Sequence, residues 1–89
     1  MLISWSPSTL LATRLDVVQG NVFSDASGIV LAPGGGGLYV VESISSIWYF
    51  NLTSQLRVRK DDPTGPNPLG QVYDLFISAD GNKLFYMDR

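Results

Sequence analysis

The sequence of 89 residues contains no cysteine and no histidine. Thiolate and imidazole metal sites are therefore excluded, as are cysteine and histidine nucleophiles. Charged residues make up only 16% of the chain, with six Lys and Arg against eight Asp and Glu. Three of the six basic residues lie at 57–60 and are followed at once by Asp61 and Asp62. Because phosphate binding needs a concentrated positive surface, we expect no nucleic-acid partner.

Long hydrophobic runs are also absent. No stretch approaches the roughly 18 apolar residues that a membrane-spanning helix requires, so no membrane partner is expected. The first residues lack a basic segment followed by a sustained apolar core, and they do not resemble a signal peptide. Without cysteines the redox compartment is undetermined, and the sequence predicts no cellular location.

What the chain does contain is short apolar runs separated by Gly, Pro, Ser, Asn and Asp, a pattern typical of strands and turns. A hydrophobic fraction of 45% argues against disorder. No segment keeps a 3.6-residue period long enough to predict a helix. The sequence therefore predicts an all-β antiparallel fold. The predicted strands are residues 2–5, 12–18, 28–32, 38–42, 47–52, 55–59, 73–77 and 83–87.

An internal repeat is the most informative feature. Residues 29–42, IVLAPGGGGLYVVE, align without a gap onto residues 75–88, LFISADGNKLFYMD, at an offset of 46. The segments PGGG and ADGN supply the positive φ angles that tight hairpin turns require. A phosphate-binding loop is the alternative for the four glycines, but it needs a helix directly afterwards, and GLYVVES is typical of a strand. Glu42 and Asp88 end the two copies and are interpreted as strand-end residues.

A period of 46 residues with four strands is typical of a β-propeller blade. The prediction is one domain, an incomplete propeller of antiparallel four-stranded blades. Residues 1–26 would form the outer strands of one blade and residues 27–60 a complete blade. Residues 61–72 would connect the blades, and residues 73–89 would form the inner strands of the next. The aromatic run WYF at 48–50 is predicted to pack between blades in preference to forming a sugar-stacking surface.

The segment SGIVLAPGGGGLYVVESISSIWYFNL, residues 27–52, resembles a blade of the gluconolactonase/SMP-30/regucalcin group of six-bladed propellers. Upstream WSPSTLLATRLDVVQGNVF and downstream YDLFISADGNKLFYMD resemble further segments of that family in the same order. The resemblance implies a hydrolase of small lactones with one divalent cation, usually calcium, which would polarise a carbonyl and activate water. The chain is then expected to be a fragment of such a lactonase, inactive in isolation.

The same resemblance supplies two candidate metal ligands, Ser27 and Asp74. A family asparagine falls on Ser27, and a family aspartate falls on Tyr73, next to Asp74. A shift of one residue turns a strand side chain to the opposite face, and only a bulge could restore Asp74. The alternatives are a serine bonded to turn backbone and a solvated carboxylate. No catalytic residue is predicted, and calcium is not expected to bind this chain alone.

Two other functions stay open at this point. A non-catalytic array of blades could act as an interaction module, completing a propeller by self-association through its open edges or by pairing with another chain. A fragment of a strictosidine-synthase-like or NHL-type binding propeller would share the turn followed by LYVVE.

Overall fold

The computed structural model describes residues 1–66 and 68–88, and within them the chain is all-β. Eight antiparallel strands follow one another, and no helix occurs in the described part, as the sequence predicted. The strands are β1 (Ile3–Trp5), β2 (Ala12–Arg14), β3 (Ala26–Leu31), β4 (Gly37–Glu42), β5 (Ser46–Asn51), β6 (Arg57–Arg59), β7 (Val72–Ile77) and β8 (Leu84–Asp88).

These strands form three antiparallel sheets. A central four-stranded sheet has the order β3-β4-β5-β6, and the pairs β1-β2 and β7-β8 form two-stranded sheets. Each predicted strand is present, but β1 is one residue shorter than expected, and β2 and β6 are shortened by more. β2 ends at Arg14, because Asp16 turns inwards to accept a hydrogen bond from the backbone of Leu2. β6 starts only at Arg57, because Gln55 adopts a left-handed turn conformation with φ 59°.

The two middle strands of the central sheet, β4 and β5, are packed on both faces because their apolar side chains alternate in direction along each strand. We call the side that packs against β1-β2 the front face. There Val40 and Phe50 pack with Leu2 and Phe23, and the two phenylalanine rings meet edge to face at 5.8 Å. Each of these four residues is buried.

The opposite side of the central sheet, which we call the back face, packs against β7-β8. Val41 and Ile47 of the central sheet form one cluster with Val72 and Leu75 of β7. In the aromatic run at 48–50, Phe50 is fully buried on the front face. The ring of Tyr49 lies on the back face, and its centroid is 5.2 Å from the centroid of the Tyr39 ring. The run thus contributes to both layers of packing.

The predicted repeat at offset 46 recurs in the pairing of the strands. Val30 pairs with Tyr39 in the β3-β4 hairpin, and Phe76 pairs with Phe85 in the β7-β8 hairpin. Gly35 and Gly81, at the same place in the two turns, have φ of 75° and 79°. Both segments are hairpins, and a strand follows the glycine run directly, so the phosphate-loop alternative is excluded.

A second repeat, which the sequence analysis missed, relates β1-β2 to β5-β6 at an offset of 45. Ile3 pairs with Arg14, and Trp48 pairs with Arg59, 45 residues later in each strand. The turns also match, since one residue in each has a positive φ, 60° in the first and 59° in the second. The recurrence therefore includes the β1-β2 and β5-β6 hairpins as well as β3-β4 and β7-β8.

Candidate functional site

The two predicted ligands lie at bulges in equivalent strands. In β3, Ala26 pairs with Glu42 while Gly28 pairs with Val41, so Ser27 is the extra residue of a β-bulge. In β7 the register shifts by one residue between Val72 and Leu75, a segment that includes Asp74. An irregularity of the kind that could redirect the Asp74 side chain is thus present in β7, at the position equivalent to the bulge in β3.

The structure brings these two bulges together. The hydroxyl of Ser27 donates to the backbone oxygen of Val72 at 3.4 Å. A Cβ atom placed on Gly28 would lie 2.9 Å from the Tyr73 carbonyl oxygen and 3.6 Å from the Cα atom of Asp74. Glycine at position 28 therefore permits the close approach of β3 and β7. Ser27 and Asp74 lie on neighbouring strands, and both are exposed.

These residues alone do not make a calcium site. Calcium in proteins takes six to eight oxygen ligands, usually with several carboxylates. Here the two bulges contribute one carboxylate, Asp74, and the hydroxyl of Ser27, whose proton is already donated to Val72. Across residues 1–66 and 68–88, no group of three or more Asp, Glu, His or Cys residues is arranged to hold a metal ion.

A buried aspartate that the sequence analysis missed joins the first strand to the loop after β2. Asp16 is fully buried and accepts hydrogen bonds from Leu2 N at 2.8 Å, Phe23 N at 2.7 Å and Arg14 Nε at 3.1 Å. Burial on its own would raise the pKa of this carboxyl. The three hydrogen bonds outweigh burial, and the pKa of Asp16 is lowered from its ordinary value.

Asp61 repeats this arrangement 45 residues later. Its carboxylate accepts from the backbone N–H of Ile47 at 2.9 Å and from Nε and Nη2 of Arg59, each at 3.0 Å. Burial opposes ionisation here too, but the hydrogen bonds from Arg59 and Ile47 lower the pKa of Asp61. The sequence signal was an Arg-x-Asp motif at 14–16 and again at 59–61. Both aspartates hold backbone in place, so their role is structural.

Glu42, which ends β4, is also held in a structural network. Its Oε1 atom accepts from Asp25 N at 2.7 Å, and its Oε2 atom lies 3.6 Å from Arg57 Nη1. The Arg57 guanidinium lies above two aromatic rings, 4.3 Å from the centroid of Trp48 and 5.1 Å from that of Phe23. Glu42 thus holds the Arg57 guanidinium against the rings of Trp48 and Phe23. It does so from the end of β4, in line with its interpretation as a strand-end residue.

The most distinctive surface of the molecule is the uncovered face of β7-β8. We call it the open back face and define it by Phe76, Phe85 and Met87, which are 62%, 55% and 75% exposed. The equivalent residues 46 positions earlier are Val30, Tyr39 and Val41. All three belong to, or pack against, the cluster that the central sheet forms with β7-β8. The same position in the repeat is therefore covered once and open once.

The front side of β3 is open in a complementary way. We define this open front face by Ile29 and Leu31, which are 51% and 55% exposed. Leu75 is the equivalent of Ile29 one repeat later, and it is only 6% exposed because it packs against Val41 and Ile47. A cleft beside the open front face is lined mostly by apolar residues, among them Trp5 of β1, Ile29 of β3 and Leu38 of β4.

No protein-family model matches the chain, and neither curated proteins nor solved structures give a match. The described part of the chain contains no helix that is long and apolar enough to cross a membrane. Functional assignment therefore depends on the geometry of the sheets and their open faces.

Proposed function

We propose that the chain is a segment of a β-propeller that acts as a non-catalytic association module. Its open sheet faces bind further sheets of the same kind. The observation that carries the proposal is the contrast between equivalent positions. Phe76 and Phe85 are open, whereas Val30 and Tyr39, 46 residues earlier, are packed against the next hairpin.

The propeller assignment is supported by the way the repeats stack. Four consecutive strands form one meander, and the hairpins on either side pack on its two faces. Propeller blades are such four-stranded meanders, and adjacent blades bury their faces against each other. The close approach of β3 and β7 at Gly28 places the first strands of successive repeats side by side. In repeat architectures each unit contacts its neighbours and leaves its terminal faces apolar unless they are capped.

The non-catalytic role is supported by how the carboxylates are used. Catalytic sites gather titratable groups with shifted pKa values in a cleft, where they remain available to a substrate. Here the buried Asp16 and Glu42 and the mostly buried Asp61 are hydrogen-bonded to backbone N–H groups of the chain itself. Each of these three carboxylates is occupied by groups of the chain itself: Oε2 of Glu42 has no hydrogen-bond partner, but it faces the Arg57 guanidinium at 3.6 Å.

Association has a substantial driving force. Burying a fully exposed phenylalanine or methionine side chain contributes about 1.5–3 kcal/mol. Phe76, Phe85 and Met87 lie on one face and are each more than half exposed. Contiguous apolar patches of this kind mark interaction surfaces on soluble proteins. The net charge of −2 offers little electrostatic opposition to bringing such faces together.

Sedimentation velocity over a wide range of protein concentration tests the proposal. The wild type is expected to form a defined oligomer as concentration rises. Phe85→Glu places a charge on the open back face and should shift the protein to a folded monomer. Leu10→Asp is the matched control, because Leu10 is 71% exposed in the β1-β2 turn and its φ of 60° tolerates aspartate. A folded wild-type monomer at every concentration would refute the proposal.

Lactone hydrolysis with calcium is the second candidate function, proposed for an assembly that supplies the missing ligands. The favouring observation is that the bulges at Ser27 and near Asp74 lie side by side. Titration calorimetry with Ca²⁺ tests it, using wild type and Asp74→Asn. Binding by the wild type that disappears in Asp74→Asn would favour the lactonase. Equal heats from both proteins would leave the association module as the better assignment.

A further inference from the structure

We infer that the partner of the open faces is a second copy of this chain, joined head to tail. β8 of one copy pairs with β1 of the next, and the strands β7-β8-β1-β2 form a four-stranded sheet across the interface. This inference rests on the proposed association function and names its partner and geometry. The evidence is the pairing that the chain already makes within itself.

The two repeats identify which strands correspond. β8 matches β4 at an offset of 46, and β1 matches β5 at an offset of 45. Within the chain, β4 and β5 are neighbours in the central sheet. Among the described strands, β8 pairs only with β7 and β1 only with β2, so each keeps one unpaired edge. Such edges present backbone N–H and C=O groups that serve as templates for another strand.

The internal pairing also fixes the register of the new interface. Tyr39 pairs with Tyr49 in the central sheet. Adding 46 to the first and subtracting 45 from the second gives Phe85 opposite Ser4 of the next copy. The neighbouring pair, Val40 with Trp48, gives Tyr86 opposite Ile3 in the same way. The inference therefore predicts particular residue pairs.

The same arrangement covers both open faces at once. With β1 seated beside β8, the β3-β4 hairpin of the second copy lies on the open back face of the first. Ile29 and Leu31 of the second copy then meet Phe76 and Phe85, just as Leu75 packs against the central sheet within the chain. The open front face of one copy and the open back face of the other therefore cover each other in this arrangement.

Trp5 provides an independent sign that β1 is an inner strand of a larger sheet. Its side chain is 59% exposed, whereas Phe50, the equivalent residue 45 positions later, is fully buried. In the assembly, Trp5 would lie against the outer half of the back face of the neighbouring copy. A cleft there is lined by Tyr39, Tyr49 and Lys60. In the assembly, the indole ring would enter this cleft and leave the solvent.

Each copy contributes eight described strands, enough for two four-stranded sheets. The contact joins β8 of one copy to a different strand, β1, of the next and is therefore heterologous. A heterologous contact closes into a ring when the rotation per copy permits it and otherwise forms a filament. Propeller-like stacking of successive sheets turns steadily about one axis, so we expect a closed ring.

Disulfide cross-linking tests the register. The chain has no cysteine, so only introduced thiols can react. Cross-strand partners have Cα atoms about 4.5–5.5 Å apart, within the range that disulfides span. Ser4→Cys/Phe85→Cys should form disulfide-linked oligomers on oxidation. Ser4→Cys/Tyr86→Cys is the matched control, since a shift of one residue directs the second thiol to the opposite face. Ile3→Cys/Tyr86→Cys is a second in-register pair that keeps Phe85.

The outcomes separate this inference from the proposed function. Cross-linking of both in-register pairs, with little in the control, supports head-to-tail pairing. If the wild type associates but the in-register pairs cross-link no better than the control, the inference is overturned while the association function stands. If the wild type remains a folded monomer and none of the variants cross-links, both are overturned.

Discussion

Replacing Asp16 with alanine is expected to be among the most damaging changes to a polar residue. Its carboxylate is fully buried and accepts two backbone hydrogen bonds, from Leu2 and Phe23, besides one from Arg14. Alanine would leave two buried N–H groups without an acceptor, at a cost of about 1–3 kcal/mol each. We expect a loss of roughly 3–5 kcal/mol in the free energy of unfolding. Stability for a chain of this length is roughly 4–13 kcal/mol in total, so the substitution would remove a large fraction of it.

Asp61→Ala is the matched comparison supplied by the repeat. Asp61 accepts only one backbone hydrogen bond from another residue, Ile47, and its other partner is the partly exposed side chain of Arg59. Its removal should cost about 1–2 kcal/mol. Urea unfolding followed by circular dichroism measures both values, at a protein concentration low enough to keep each variant monomeric. Equal losses, or a larger loss for Asp61→Ala, would refute the argument from the buried hydrogen bonds.

Three further predictions concern the same fold. Because the pKa values of Asp16 and Asp61 are lowered in the folded state, the stabilisation from these two carboxylates is complete above the ordinary aspartate pKa. The free energy of unfolding should fall as the pH drops through the folded-state pKa values. A urea midpoint that stays constant on acidification would contradict this. Gly28→Ala should cost about 1–3 kcal/mol, because its Cβ would meet the Tyr73 carbonyl, whereas Gly36→Ala, in open space, should be nearly neutral in the same assay. Phe50→Ala should lose about 3–5 kcal/mol and Val17→Ala, 59% exposed, less than about 0.5, and similar losses would contradict the assigned core.

The strands and their turns could be predicted from the sequence because their signals are local. The short run of Leu, Tyr and Val within Gly37–Glu42 is typical of a strand, and the glycines before it supply the positive φ of a hairpin. Most strand ends differed by one or two residues; β2 ended four residues early, at Arg14, next to a buried aspartate, and β6 began late, at Arg57, after a turn residue with a positive φ. Such end effects depend on tertiary hydrogen bonds, and periodicity does not contain them.

The part that could not be predicted is the role of Asp16 and Asp61. Aspartate is mostly a surface residue, and nothing in its immediate neighbours indicates full burial. The recurrence of Arg-x-Asp at an offset of 45 was available, but it is visible only when the outer hairpins are aligned with each other. The candidate ligands Ser27 and Asp74 show the converse. Their adjacency follows from the repeat, but a binding site needs further ligands that the repeat does not provide.

Amide hydrogen exchange at rising protein concentration tests the central claim most directly. If the open edges and faces bind a second copy, the backbone amides of β1 and β8 will become more protected as concentration increases, and those of β4 and β5, already paired on both sides, will change little. Protection of β1 and β8 that is independent of concentration, in a chain that remains folded, would contradict the claim that these strands form an interface.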